Sequence, residues 1–377
     1  MTVPFNARGR AAAQQREALL GATAAVIDSG WLVHGRQHRS FEAELAGFLQ
    51  VAEVCGVGNG TDALEIGLRA VRRDRRQTVV TVANSGGYTT TAARAAGLRL
   101  RYCDVDPQTL LLDPARLGEA VDADTFAVVV THLYGRAADV AAVRAVVPPG
   151  IAVIEDCAQS HGAHFGDTMT GRFGHVGCFS FYPTKNLGAF GDAGAVVTDD
   201  AVLAEKIRML RNYGSKEKYH NELCGVNSRL DEIQAALLRT KLTHLSALTE
   251  ERREIAAQYH AGIKNEHIHL PEVREGAEHV YHQFVVRTSS RDHFKEYLHA
   301  HGIETVIHYP IPPHLAECYA YLGHTRGSFP RTEQYADEVL SLPIFNGMRT
   351  DEITYVIDIV NGYRPSAPQC VMQKGHR

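Results

Sequence analysis

Cys178-Phe179-Ser180-Phe181-Tyr182-Pro183-Thr184-Lys185-Asn186-Leu187-Gly188 is apolar and aromatic up to Pro183. It turns glycine-rich beyond Asn186, where Gly188, Gly191 and Gly194 follow. Its first half, 176–181, reads as a buried strand. A lysine pressed among aromatics tends to lose its proton, because desolvation disfavours the ammonium. The neutral amine is then a nucleophile able to form a Schiff base with a carbonyl. Most lysines instead carry their charge out to solvent, and local composition alone leaves both readings of Lys185 open.

Working outward, a strand over 51–57 runs into Gly58-Asn59-Gly60-Thr61-Asp62, and residues 63–71 are helical in pattern. Strand, glycine turn and helix N-terminus together make a shape that binds anions, since free N–H groups and the helix dipole point at the turn. A plain strand-to-helix turn has the same pattern. Gly56, Gly58 and Gly60 alternate, which is not the dinucleotide fingerprint and disfavours a nicotinamide oxidoreductase. Further strands are expected over 78–83, 98–105, 126–131, 151–155 and 193–198. Helices are expected over 14–29, 41–49, 89–96, 138–146 and 200–210. This alternation predicts an α/β protein with a mainly parallel sheet covered on both faces. Ligands bind such sheets at the carboxyl ends of the strands. The turn at 58–61, Tyr88, His132, Asp156 and Lys185 all end or follow a strand, so they are expected to share one rim.

A helix over 228–248 that continues toward 259 is expected to cross between domains. Strands follow over 281–287 and 305–308, and helices over 290–301 and 331–341. The domain boundary is placed near 245. This gives a large domain over 1–245 and a smaller α+β domain over 246–377, whose tail from about 364 is expected to be disordered.

Composition excludes several function classes. The 377 residues are 45% hydrophobic and 22% charged, with a formal net charge of −4. No long basic block is present, so nucleic acid is not an implied partner. The seven cysteines are scattered, odd in number and lack a Cys-x-x-Cys pair, which suggests reduced thiols in a cytoplasm. The N-terminal stretch lacks the apolar core of a signal peptide. No run of eighteen apolar residues exists to span a membrane. His161 and His164 with Glu155 and Asp156 do not meet ordinary ligand spacings, so no metal is expected.

A glycine turn for a phosphate, an aspartate closing a buried strand and a desolvated lysine are together what a pyridoxal phosphate (PLP) site needs. The carboxylate keeps the pyridine nitrogen protonated, so that the ring is an electron sink. The chain resembles the sugar aminotransferases of the DegT/DnrJ/EryC1/StrS family over about 30–319. The resemblance is carried by Gly58-Asn59-Gly60-Thr61-Asp62-Ala63-Leu64, by Ile154-Glu155-Asp156-Cys157-Ala158-Gln159-Ser160-His161-Gly162-Ala163, by Ser180 through Gly188, and by Gly225-Val226-Asn227-Ser228-Arg229-Leu230. It implies the PLP-dependent transferase fold type I, aspartate aminotransferase-like, working as a homodimer with shared active sites. It also implies that Lys185 carries the cofactor as a Schiff base, that Asp156 pairs with the ring nitrogen, and that Gln159 bonds the ring hydroxyl. Ser180, Gly60 and Thr61 would hold the phosphate, and Asn227 would reach the phosphate of the neighbouring subunit. Tyr88 matches an aromatic that stacks on the ring, although Ser85-Gly86-Gly87-Tyr88 departs from the commoner Thr-Phe pattern. Family members with histidine at the Schiff-base position are dehydratases; lysine here favours transamination.

The implied reaction is ping-pong, with L-glutamate as donor and a nucleotide-linked keto-sugar as acceptor. The segments Ala83 through Tyr88, His132-Leu133-Tyr134-Gly135 and Asn212-Tyr213-Gly214-Ser215 look like the branch acting on dTDP-3-keto-6-deoxyhexoses. Amination at C4, a cyclitol ketone substrate, and a non-catalytic regulatory member of the fold are the alternatives. Candidate sugar contacts are Tyr182, Tyr219, Arg229, His308 and His314. Each has a structural alternative in core, interface or loop packing.

Overall fold

The structure, a computed structural model, describes residues 1–365 except 218, 273 and 275. Along the chain come β1 (Glu53–Val57), β2 (Thr78–Val82), β3 (Arg99–Cys103), β4 (Thr125–Thr131) and β5 (Ala152–Asp156). A small hairpin of β6 (His164–Phe165) and β7 (Thr168–Met169) precedes β8 (Val176–Ser180) and β9 (Gly194–Thr198). Seven of these form one sheet in the order β1-β9-β8-β5-β4-β2-β3. The pairs β2–β3, β2–β4, β4–β5 and β5–β8 are parallel, and β9 runs against both β8 and β1.

The sheet is covered on both sides, and the sequence shows why. Along β2, β4 and β5 every residue is buried and most are apolar, as central parallel strands require. Alternate residues serve two cores. Val79, Ala127, Val129 and Ile154 join one cluster with Leu64 and Ile66 of the helix Gly60–Val71. Val80, Val128, Val130 and Val153 join the other with Leu133 and Val140. All strands but β9 point their carboxyl ends to one edge, which gathers the expected rim.

Beyond the sheet lie an exposed hairpin of β10 (Ser215–Glu217) and β11 (His220–Asn221), and the helices Glu232–Leu242 and Leu245–Gly262. The single helix expected over 228–248 is therefore two, broken at Thr243-His244. The C-terminal region pairs β12 (Phe284–Arg287) with β13 (Val339–Leu342), Phe284 opposite Leu342. The helices Leu245–Gly262, Arg291–Ala300 and Thr350–Gly362 pack on them around Tyr259, Phe284, Phe294, Val356 and Tyr363.

Several expectations are corrected here. Residues 339–342 are strand, not the end of a helix, because β12 supplies their hydrogen bonds. Residues 305–308 form no strand, and only Val306 bridges Ser341. The helix Thr350–Gly362 was not anticipated. The first residues pack on the C-terminal region: Val3 is fully buried in its core and bridges Ile303, and Arg10 forms an ion pair with Glu352 at 2.6 Å. The tail expected to be disordered lies outside the described residues from 366 onward. Among the described residues, no helix is long and apolar enough to cross a membrane.

Candidate active site

The rim is built first by backbone. Asn59 caps the helix Gly60–Val71, its side chain accepting the N–H of Asp62 at 2.9 Å. This leaves the N–H groups of Gly60 and Thr61 without intrahelical partners. Gly60 lies directly against β8: a Cβ there would stand 2.5 Å from Ser180 Cβ. Only glycine lets the helix N-terminus and the Ser180 hydroxyl close on one spot. Ser228 locks the turn from behind, its Oγ donating to Asp62 at 2.6 Å and accepting the N–H of Gly58 at 2.8 Å.

Asp156 ends β5 and is buried. Among the described residues its carboxylate accepts one hydrogen bond, from the Ala158 N–H to Oδ1 at 3.1 Å. Burial pushes its pKa up; that N–H and the charges of Lys185 and His132 oppose the shift. Lys185 follows β8 on a tight turn, its N–H donating to the Tyr182 carbonyl at 2.8 Å. Burial pulls its amine down to about 8, against the pull of the Asp156 charge. The half-buried residue thus keeps an amine that deprotonates near neutral pH. Asn186 anchors the same turn, its Nδ2 donating to the Val280 carbonyl at 2.9 Å.

Gln159 is held at both ends. Its Oε1 accepts the Tyr134 N–H at 2.6 Å and its Nε2 donates to the Tyr309 hydroxyl at 3.1 Å. Tyr309 meets the half-exposed Tyr88 edge to face, with ring centres 6.3 Å apart. Gly86 permits this, since a Cβ there would lie 2.9 Å from the Tyr309 ring. His308 joins the group: its backbone carbonyl accepts the Tyr134 hydroxyl at 2.5 Å, and its Nδ1 meets Ser341 Oγ at 2.8 Å. Burial and the Lys185 charge lower its pKa to about 4, so the ring is neutral.

The rim thus brings together Gly60, Thr61, Tyr88, Asp156, Gln159, Ser180, Lys185 and His308. Tyr182 is half-exposed beside Lys185. Tyr219 projects from the β10–β11 hairpin, Asn227 is exposed, and Arg229 lies over the Tyr213 ring at 5.7 Å. His314 is a correction: it is 1% exposed, bonded to Glu333 at 3.0 Å and packed on Phe329, so it has no surface to offer a sugar. Tyr134 and Tyr309 were not anticipated. Nothing in their local sequence ties either to Gln159, which each reaches only in the fold.

His132, Glu155 and Cys157 converge, with ligand atoms within 4.8 Å of one another. The Glu155 and His132 atoms are already engaged. Glu155 accepts the N–H groups of Gly171, Phe173 and Gly174 and meets His132 Nε2 at 2.9 Å. His132 Nδ1 accepts the Ala138 N–H, which makes Nε2 the donor.

The residues present fit PLP. A cradle at Gly60 that any Cβ would fill, a buried carboxylate with one oxygen unpaired among the described residues, and a desolvated amine are the complements of its phosphate, ring nitrogen and aldehyde.

Comparison with known proteins agrees. The model of the DegT/DnrJ/EryC1/StrS aminotransferase family matches residues 13–361. The chain is 42% identical to the erythromycin biosynthesis sensory transduction protein EryC1 of Saccharopolyspora erythraea, over 95% of this chain and 98% of that one. It is 40% identical to the dTDP-3-amino-3,4,6-trideoxy-alpha-D-glucose transaminase of Streptomyces venezuelae, over 97% of each. The crystal structure of DesV from S. venezuelae superposes with a TM-score of 0.93 at 40% identity, covering 96% of this chain and 98% of that one.

Proposed function

Because this chain belongs to the DegT/DnrJ/EryC1/StrS aminotransferase family, we propose that it transfers the amino group of L-glutamate to C3 of a dTDP-3-keto-6-deoxyhexose, giving a dTDP-3-amino-3,6-dideoxyhexose. It is a PLP-dependent sugar aminotransferase. The observation that carries the reading is the Lys185 amine, whose pKa burial lowers to about 8 within the field of the buried Asp156 carboxylate. The transaminase relative that covers nearly the whole chain supports the choice of nucleotide and carbon.

PLP, when bound, supplies an electron sink for charge developing at the substrate carbon. The work of the chain is to hold it and to move protons. Gly60, Thr61 and Ser180 would take the phosphate at the helix N-terminus. Asp156 would face the ring nitrogen; a cation there offsets the burial that otherwise raises its pKa. Gln159, fixed by Tyr134 and Tyr309, would present its amide to the ring hydroxyl, and Tyr88 would cover the ring. Once freed, the Lys185 amine has a pKa suited to taking a proton from one carbon and returning it to another. L-Glutamate leaves as 2-oxoglutarate in the first half-reaction, and the keto-sugar accepts the amino group in the second. Tyr182 and His308 stand on the substrate side of the rim.

The working form is a homodimer, with Asn227, Tyr219 and Arg229 completing the partner's site. The exposure of Tyr219 and Asn227 supports this, as does the exposed apolar run Trp31, Leu32 and Val33. The scattered cysteines, free among the described residues, support a cytoplasmic location.

A second reading, a regulatory protein on the same fold, is favoured by the name of the EryC1 relative. The intact set of Lys185, Asp156 and Gln159 weighs against it. The visible spectrum of the protein with PLP, before and after L-glutamate, separates the two. A band that glutamate converts supports the transaminase, and a panel of dTDP-keto-sugars then identifies the acceptor. Absence of any band sinks the reading.

A further inference from the structure

Arg136 stands where three cavities meet, just beyond the candidate active site. It is 6% exposed. Its Nη2 donates to the Glu272 carbonyl, and its Nη1 is buried with no partner among the described residues. No carboxylate among the described residues lies within ion-pair distance of it. Glu272 and Asp106 act on its charge only through space, while Arg274 repels it. The Oδ1 of Asp106 is already taken by the N–H groups of Gln108 and Thr109 and by the Thr109 hydroxyl. A buried guanidinium without a counter-ion is costly, and an anion relieves the cost.

One of the three cavities has the shape of a ligand site. It measures about 280 Å³ and lies between the rim segments at 107–110 and 133–136 and the C-terminal segment that leads into β12. Leu133, Leu270 and Val285 give it an apolar wall, and Arg287 adds a second guanidinium. Gln283, also buried and facing this cavity, has its Oε1 without a partner among the described residues. Apolar walls with a few convergent polar groups are what small-molecule sites share. Tyr134 forms the wall toward the candidate active site, its N–H on Gln159 and its hydroxyl on the His308 carbonyl.

We propose that this interdomain cavity binds a small organic anion, whose carboxylate or phosphate group is taken by Arg136 and whose apolar body lies against Leu133, Leu270 and Val285. The site is separate from the one that holds PLP.

The test is calorimetric titration of the PLP-loaded dimer, so that the cofactor's own phosphate site is filled. Inorganic phosphate and butyrate are the probes, at ionic strength fixed with chloride. Saturable binding of either supports the site, and the one that binds tells whether phosphate or carboxylate is preferred. Arg136→Met should weaken that binding at least tenfold, whereas Arg253→Met, which lines only the neighbouring cavity, should not. Absence of saturable binding, or binding untouched by Arg136→Met, overturns the proposal. Should Arg136→Met fail to fold, wild-type crystals soaked in selenate decide. An anomalous peak within hydrogen-bond distance of Arg136, matched by solution binding, supports the site. No peak, or an adventitious ion seen at crystal concentration only, overturns it.

Discussion

The side-chain amide of Gln159 donates to the phenol of Tyr309 at 3.1 Å, across 150 positions of sequence. The other end of the amide is fixed by the Tyr134 N–H at 2.6 Å. Gln159 is thus aimed by two residues from different parts of the chain. Tyr309→Phe frees one end and costs one hydrogen bond, about 1 kcal/mol. PLP should bind roughly fivefold more weakly, with melting temperature little changed. Spectroscopic PLP titration of the variant checks this; unchanged affinity would mean that Tyr309 does not position Gln159.

Lys185→Ala should lower turnover by about a thousandfold or more, the scale of lost acid–base catalysis, while the fold persists. Activity assays beside thermal melts separate the two effects. Near-native turnover in this variant would refute the assignment.

The same lysine predicts a pH dependence. Its pKa falls from 10.5 in the free side chain to about 8 in the fold. Between those values the unfolded chain holds a proton that the folded chain has released. Stability should therefore rise with pH across that window, by on the order of 2–3 kcal/mol at most. The half-buried Lys241, also lowered to about 8 by desolvation, contributes in the same direction. Denaturant melts of cofactor-free wild type and Lys185→Met at pH 7.5 and pH 10 isolate the Lys185 share as a difference. Parallel curves for the two proteins would contradict it. PLP uptake should likewise speed up with pH through about 8, since only the neutral amine attacks.

Gly60→Ala sets two effects against each other. Alanine favours the helix by about 1 kcal/mol, but its Cβ would stand 2.5 Å from Ser180 Cβ. Overpacking of that kind costs about 1–3 kcal/mol, and the strain falls on the proposed phosphate cradle. PLP affinity should drop more than stability does. A tight complex in the alanine variant would argue against the cradle.

Glu155→Gln should be severe although it touches no proposed reactant. The carboxylate accepts three backbone N–H groups and meets His132. An amide presents a donor to at least one of these donors, and the charge-assisted bonds are lost. A loss of about 3–5 kcal/mol is expected, read as a lower denaturation midpoint.

Shared sites in a dimer are tested by mixing. Lys185→Ala and Asn227→Ala chains, each inactive or weak alone, should regain activity when dissociated and reassociated together. Random pairing restores roughly a quarter of the wild-type sites. No recovery would place Asn227 in its own chain's site or in none.

Read from residues alone, the strands, the rim and the candidate chemistry were accessible. β4 and β5 announce themselves as unbroken apolar runs, and a glycine turn, a strand-end aspartate and a desolvated lysine are local patterns whose chemistry follows from residue type. A parallel sheet then places strand ends together without further information. Contacts between distant segments were not accessible. β13 was taken for helix because its hydrogen bonds come from β12, more than fifty residues earlier, and pairing overrides local propensity. His314 looked like a loop ligand until Glu333 and Phe329 enclosed it. Tyr309 reached Gln159, and Val3 the C-terminal core, only when the chain had folded back on itself. Local pattern determines what each residue is able to do, because backbone propensity and the intrinsic chemistry of a side chain belong to the residue and its near neighbours in sequence. Which residues meet, and so which are buried, paired or left open to a ligand, is decided by packing over the whole chain.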